Sequence, residues 1–428
     1  MTAGRDAAGP IRGLYDSPWP AEDGGPRRQL VPRAPGLALR AGERLVATTR
    51  PAFVANMVVL RAPGEVYLQG TTSIGPEAAA YVERIDPATL APLARSPDLD
   101  AGGVWWPGGV VAHANGSLYV THGTFCHRLD AGCALVASRR LPRPHAYNSL
   151  LVLSDGRLVM KNMVRDGSAR SALVVLDPER LEPVAPELEI PEGSIARLSK
   201  DVDAAGDVVY VVGDHTIFRA RWDGRRLELD DWRVRYRVHA DQSYGWDPVL
   251  AGGQAWFLDN GENTFAQSFR GGGTASGPIH LVRVALDDAS DWELFAPFDL
   301  PHGTVANPPA FDADRRIAVT YDSGNARLAA FRLAGSGRFT RLWEHPFGAA
   351  NHFLLYRDTG EIVVNDFQDD TGEQVVVIDL ETGAERGRVA IESPVQSVVF
   401  QAPGLGRELY ACTFMTLARV HVEGDPRD

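Results

Sequence analysis

Short apolar runs separated by turns bearing Gly or Asp recur along this chain from about residue 37 to its end. Leu150-Leu151-Val152-Leu153 leads into Ser154-Asp155-Gly156 and back out through Leu158-Val159-Met160. Two apolar runs of strand length around a tight polar turn predict a β-hairpin. The same unit returns at 57–68, 110–120, 203–212, 248–258, 309–320, 353–364 and 398–412, which makes eight copies.

A second pattern follows many of these hairpins. Val82-Glu83-Arg84-Ile85-Asp86-Pro87 matches Leu173-Val174-Val175-Leu176-Asp177-Pro178 and Val376-Val377-Ile378-Asp379-Leu380. It predicts a third strand, an Asp-bearing turn and an outer fourth strand. No segment carries a convincing helical apolar period. Four short strands in roughly 45 residues, repeated, predict an all-β chain folded as one β-propeller. The count is about eight four-stranded blades, or seven if one hairpin is misread. The last unit has three strands before Val422, and the run at 42–48 precedes the first unit. Pairing these N- and C-terminal strands would close the ring and remove its free edges. Residues 1–35 are rich in Pro, Gly, Arg and Asp and read as an extended arm, leaving 36–428 as the propeller.

Composition narrows the function. The formal charge is −12, from 43 basic and 55 acidic residues. An acidic chain without a basic stripe is a poor partner for nucleic acid or anionic lipid. No apolar run reaches the roughly 18 residues of a membrane span, and no apolar leader follows Met1, so a cytoplasmic protein is expected. Three cysteines make no disulfide framework. Cys126 and Cys133 flank a predicted turn and are placed either to pair or to stay free.

Candidate chemistry gathers where the inner strands begin. Asn56, Asn148, Asn307 and Asn351 stand at equivalent positions before them, with Arg197 and Asp247 in similar places. Repetition at one register predicts a polar ring around the channel mouth. His145, His239, His302 and His352 lie close by and are expected to converge as acid–base groups or as transition-metal ligands. Loops after the second strands carry Asp259, Asp322 and Asp366, which with Asp247 suit a divalent ion such as calcium. Lys161 and Arg197 are placed to meet an anionic group. Trp105, Trp106, Tyr147 and Trp246 are candidates for the wall of a pocket. The loop at 259–278 is long and contains Gly271-Gly272-Gly273, the texture of a lid or binding loop.

The unit Asn148-Ser149-Leu150-Leu151-Val152-Leu153-Ser154-Asp155-Gly156 resembles hairpins of the senescence marker protein/gluconolactonase and strictosidine synthase-like propellers. That resemblance implies Asn, Asp and Glu at the channel mouth, around calcium in some members. The expected function is an enzyme acting on a small organic molecule at that mouth. Hydrolase, lyase or cyclase chemistry fits, since no redox-cofactor fingerprint is present. The competing expectation is a non-catalytic propeller that binds a protein or peptide.

Overall fold

Eight antiparallel four-stranded sheets follow one another along the chain, so the protein is an eight-bladed β-propeller. The computed structural model describes residues 9–424 apart from 165, 166 and 168. Within a blade the strands run from the axis outward in chain order. Blade 3, for example, consists of Tyr147–Val152, Leu158–Asn162, Ala172–Leu176 and Leu188–Glu189. The predicted hairpins are the first two strands of the eight blades.

Closure takes the expected form. Blade 8 is built from Val399–Pro403, Glu408–Cys412 and Thr416–Glu423, and its outer strand is Arg44–Pro51 from the start of the chain. The pairing runs antiparallel from Arg44 opposite Glu423 to Pro51 opposite Thr416. The two ends of the propeller domain therefore share one sheet.

Burial follows distance from the axis. Each residue of the inner strand Met57–Leu60 is buried, whereas the outer strand Pro92–Arg95 is mostly exposed. Inner strands have a neighbouring blade against both faces, so they need unbroken apolar runs rather than alternation. The Asp-bearing turns have a simple cause. The Oδ1 atoms of Asp86, Asp177 and Asp379 each accept two successive backbone N–H groups at 2.8–3.0 Å. Asp is the short acceptor such a turn requires. Cys126 and Cys133 are both free and buried. They belong to apolar clusters on opposite sides of blade 2, so no disulfide joins them.

The described part of the arm, from residue 9, contributes no strand and is packed on the propeller. Tyr15 N–H donates to Ala112 O, and the Leu60, Lys200, Leu250 and Leu355 N–H groups donate to carbonyls of Trp19, Pro26, Arg27 and Leu30, all at 2.7–2.9 Å. These strand residues lie in the inner strands of blades 2, 1, 4, 5 and 7. The arm thus crosses the end of the channel opposite the mouth where the inner strands begin. Trp19, Arg28 and Leu30 are buried there. Asp23, Arg28 and Leu30 hold φ of 55°, 52° and 63°, left-handed values that non-Gly residues adopt only under tertiary constraint.

Candidate active site at the channel mouth

The residues expected to form a polar ring can be placed on the fold. Asn56, Asn148, Arg197, Asp247, Asn307 and Asn351 are all buried at the starts of inner strands. Several of their bonds fasten one blade to the next. Asn148 Nδ2 donates to Ile195 O at 2.6 Å, Arg197 N–H donates to Asp247 Oδ1 at 2.6 Å, and Gln401 Nε2 donates to Asn351 Oδ1 at 3.2 Å. Other atoms of these residues and of the channel wall are enclosed without a hydrogen-bond partner among the described residues. They include Asn307 Nδ2, Asn351 Nδ2, Gln401 Oε1, Thr320 Oγ1 and both ring nitrogens of His122. An enclosed polar atom left unpaired costs about 1–3 kcal/mol, so these atoms are unspent hydrogen-bonding capacity in the wall. Burial pushes His122 down to about 3, which keeps it neutral.

Three arm residues enter the channel from the other end. Arg28 Nη1 lies 2.9 Å from both Glu22 Oε2 and Asp23 Oδ2. Arg197 Nη1 donates to Glu22 Oε1 at 2.7 Å, and His352 Nδ1 bonds Asp23 Oδ1 at 2.7 Å. All five groups are buried. Burial raises the Asp23 carboxyl, but His352 and Arg28 outweigh it and hold it below the ordinary aspartate range. For Glu22 burial prevails over Arg197 and Arg28, and its pKa is raised. Glu22, Asp23 and His352 bring potential ligand atoms within 4.8 Å of one another. Two guanidinium groups already claim both carboxylates, which balances their charge. The chemistry of the set is therefore that of an ion-paired plug, stabilised by closing the channel with satisfied charges.

Lys161 is the unusual group of the wall. The 428 residues contain two lysines, Lys161 and Lys200, and every other basic residue is arginine. Both are buried. Lys200 Nζ is paired with Asp207 at 2.5 Å. Lys161, across the hairpin from Asn148, has no ion pair among the described residues, and its Nζ donates to Ser194 O at 2.9 Å. Burial pushes its pKa down to about 7. Asp247 and Asp214 oppose that shift and Arg197 adds to it. Arginine could not do this, because a guanidinium does not deprotonate in a protein.

An apolar patch adjoins Lys161. Ala146, Met163 and Ile195 pack with Val104, Trp106, Tyr244 and Trp246, which come from the links of blades 2 to 5. Trp105 meets Trp106 edge-on at 5.8 Å, and its Nε1 is enclosed without a partner among the described residues. Trp246 Nε1 donates to Val305 O at 2.8 Å. Gly261 starts the long loop of blade 5 so close to this ring that a Cβ there would stand 2.4 Å from Trp246 Nε1. The loop then reaches blade 8. Phe269 packs on Ala306 and Ala350, and its N–H donates to Gln396 Oε1 at 2.7 Å. Gly273 is required by close approach, since a Cβ would stand 2.1 Å from His302 O.

The remaining sequence candidates are dispersed. His352 alone reaches the axis. His145 is half-buried, with its Nδ1 enclosed and without a partner among the described residues, beside the apolar patch. His239 is exposed and stacks on His280 at 5.8 Å, while His302 is exposed in a left-handed turn. The structure does not bring the four together. His145, His302 and His239 lie three, five and eight residues before Asn148, Asn307 and Asp247. The links climb from the rim to the axis, so such offsets leave imidazoles at different radii. The four aspartates also stay apart. Asp259 accepts from His280 and Gln242, Asp322 from Thr304 N–H and Asn325, and Asp366 from Gly348 N–H, each bracing its own loop. Tyr147 is core, with its hydroxyl accepting Arg143 N–H at 3.0 Å. Arginine 197 is committed to Glu22 and Pro107 O rather than open at the mouth. The sequence reading missed Glu22, Asp23 and Arg28. The one signal was the pair of large apolar residues, Trp19 and Leu30, on either side of them.

No protein-family model matches the chain, and no curated protein matches it in sequence. Solved structures do match in fold. The quinohemoprotein alcohol dehydrogenase ADHIIG of Pseudomonas putida HK5 superimposes with a TM-score of 0.64 at 10% identity, covering 96% of this chain and 81% of that one. The quinohemoprotein alcohol dehydrogenase of Comamonas testosteroni gives 0.64 at 12%, covering 94% and 80%. A europium-containing methanol dehydrogenase gives 0.62 at 11%, covering 93% and 90%. At such identities the likeness is one of fold, and fold alone does not set chemistry. Among the described residues no helix is long and apolar enough to cross a membrane.

Proposed function

We propose that the protein acts on a small organic molecule at the mouth where the inner strands begin, with Lys161 as its proton-transfer group. The observation that carries this reading is a fully buried lysine without a carboxylate partner among the described residues, beside an aromatic patch, in a chain that otherwise uses arginine for nearly all its positive charge. A structural cation would be better served by an ion pair, as at Lys200. A side chain with a pKa near 7 is instead matched to giving and taking protons at neutral pH. Trp106, Tyr244 and Trp246 would hold an apolar or planar part of the substrate. Asn307 and Asn351, whose amide donors have no partner among the described residues, would orient its oxygens. His145 is a second candidate acid–base group at the same patch. Hydrolase, lyase and cyclase reactions all turn on such proton transfers.

The test starts from the scarcity of lysine. Protein carrying ¹³C-lysine should give two Cε resonances, one of which titrates near pH 7 and disappears in Lys161→Met. A Cε that titrates above pH 9 would remove the proposed base. In a thermal-shift screen of small planar carboxylic acids, esters and lactones, hits should be lost in Trp106→Ala. Hits that survive in both Trp106→Ala and Lys161→Met would place binding elsewhere and refute the site.

A further inference from the structure

Lys161 has a carboxylate neighbour that reaches solvent, and the reading above leaves it without a role. Both groups are held against the link from blade 3 to blade 4. Lys161 Nζ donates to Ser194 O at 2.9 Å. Asp214 lies so close to the preceding residue, Gly193, that a Cβ there would stand 2.8 Å from Asp214 Oδ2. Asp214 N–H donates to Gly193 O at 2.9 Å, and Ser194 Oγ donates to Val212 O at 2.6 Å. These bonds fix the loop of blade 4 on the peptide whose far carbonyl receives the lysine. Burial separates the two groups in kind. Lys161 is fully enclosed, whereas Asp214 is half-buried. Asp247, the other carboxylate that acts on Lys161, is enclosed and accepts Arg197 N–H at 2.6 Å. Of the two, Asp214 alone connects the inside to water.

We propose that Asp214 is the proton-exchange partner of Lys161, carrying protons between the enclosed ammonium and solvent; this rests on the reading of Lys161 as the proton-transfer group. A base that takes a proton in each cycle must return it, and an ammonium without solvent contact returns it through a neighbouring group or a water. No ion pair joins the two side chains directly, so one water bridges them. The Lys161 ammonium gives a proton to that water as the water gives one to the Asp214 carboxylate, and Asp214 releases it to bulk solvent. One proton leaves Nζ, and no bond between heavier atoms changes. Asp214 is also faced by Glu192, His215 and Arg237. Burial and Glu192 raise its carboxyl above the ordinary aspartate range, against His215, Arg237 and Lys161, which brings it closer to the lowered lysine. Asp214 touches no substrate and acts only through Lys161.

The test uses the folded full chain carrying ¹³C,¹⁵N-lysine, in which Lys200 serves as the internal control. Exchange of the Nζ hydrogens with water is followed by nuclear magnetic resonance at pH 6, where the Lys161 ammonium predominates. Asp214→Asn keeps the size of the side chain and removes the carboxylate. It should slow exchange at Lys161 at least about tenfold, as loss of a proton-transfer group does, and leave Lys200 unchanged. Asp214→Glu returns a carboxylate and should restore most of the rate. Exchange at Lys161 that Asp214→Asn leaves unchanged or speeds up overturns the relay. So does equal slowing in Asp214→Glu, or slowing at both lysines, since the effect would then be one of packing. In each of these cases a Lys161 Cε that titrates near pH 7 leaves the base itself standing. A Cε that titrates above pH 9 overturns the Lys161 reading, and the relay with it.

Discussion

Lys161 sets a pH dependence whose direction follows from its environment. An unfolded lysine titrates near 10.4. In the folded protein burial lowers that value to about 7. Between these two values the unfolded chain binds more protons than the folded one, so stability rises with pH across that window. Below pH 7 the full penalty of the buried cation is present, of the order of several kcal/mol at about 1.4 kcal/mol per pKa unit. Lys161→Met removes the charge and keeps the chain length. Ser194 O is not orphaned by it, because Val164 N–H and Ser171 Oγ also donate to that carbonyl. The substitution should therefore stabilise the protein by a few kcal/mol at pH 6, with the advantage shrinking towards pH 10. Urea unfolding at the two pH values measures this. A destabilised Lys161→Met at pH 6 would show that the ammonium is compensated in a way the geometry does not contain. Glu373 shows the same physics with the opposite charge. It is fully buried, its oxygens accept from Ser397 N–H and Asn365 Nδ2, and burial pushes it up to about 8. A raised carboxyl adds stability below its unfolded value near 4.3 that is lost as pH rises towards 8. The junction of blades 7 and 8 should accordingly exchange its amide hydrogens faster at pH 9 than the linear base-catalysed trend predicts.

Elements differed in how far they could be read from the sequence, and the difference has a physical source. A propeller hairpin is determined locally, by an apolar run, an Asp- or Gly-bearing turn and a second apolar run, so eight units were legible in order. The placement of Asn56, Asn148, Asn307 and Asn351 at the starts of inner strands was legible too, since one register repeated in several blades constrains position along the strand. The convergence of histidines was not, because radius within a link depends on a path that no local pattern specifies. The arm is the extreme case. Its backbone bonds go to inner strands of five blades, and its buried charges are satisfied by Arg197 and His352, more than 170 residues away. Nothing within residues 9–38 could reveal partners so distant. Its docking can nevertheless be broken at one residue. Asp23→Asn withdraws one charge from a buried ion pair, a change that typically costs about 3–5 kcal/mol. The expected result is loss of the arm before loss of the propeller. Hydrogen exchange should rise at residues 14–30 and at Leu60, Lys200, Leu250 and Leu355, with the outer sheets unchanged. Uniform unfolding would instead mean that arm and ring form one cooperative unit.

At the scale of the molecule, the ring has one seam, and the seam is made of the chain's own ends. Each blade packs on two neighbours, so a closed ring has no exposed inner face, whereas an opened one exposes the faces of blades 1 and 8 together. Arg44–Pro51 is the strand that prevents this, and Leu45 is its buried anchor, opposite Val422 and packed near Gly387 of blade 7. Truncating one buried leucine typically costs about 2–5 kcal/mol. In a repeat protein without closure that loss would stay local, since each unit contacts only its neighbours. In a closed ring the loss weakens the strand that, together with the packing of blade 1 on blade 8, joins first blade to last, so it should propagate in both directions. Leu45→Ala is therefore expected to lower the midpoint of the whole unfolding transition, measured by near-ultraviolet circular dichroism, while leaving it a single step. Leu294→Ala, at a half-buried outer strand of blade 5, provides the comparison and should cost less. The same closure bears on both ends of the channel. The arm and the long loop of blade 5 both span several blades, one at each end of the channel. A weakened seam should raise amide hydrogen exchange in both before it unfolds any blade.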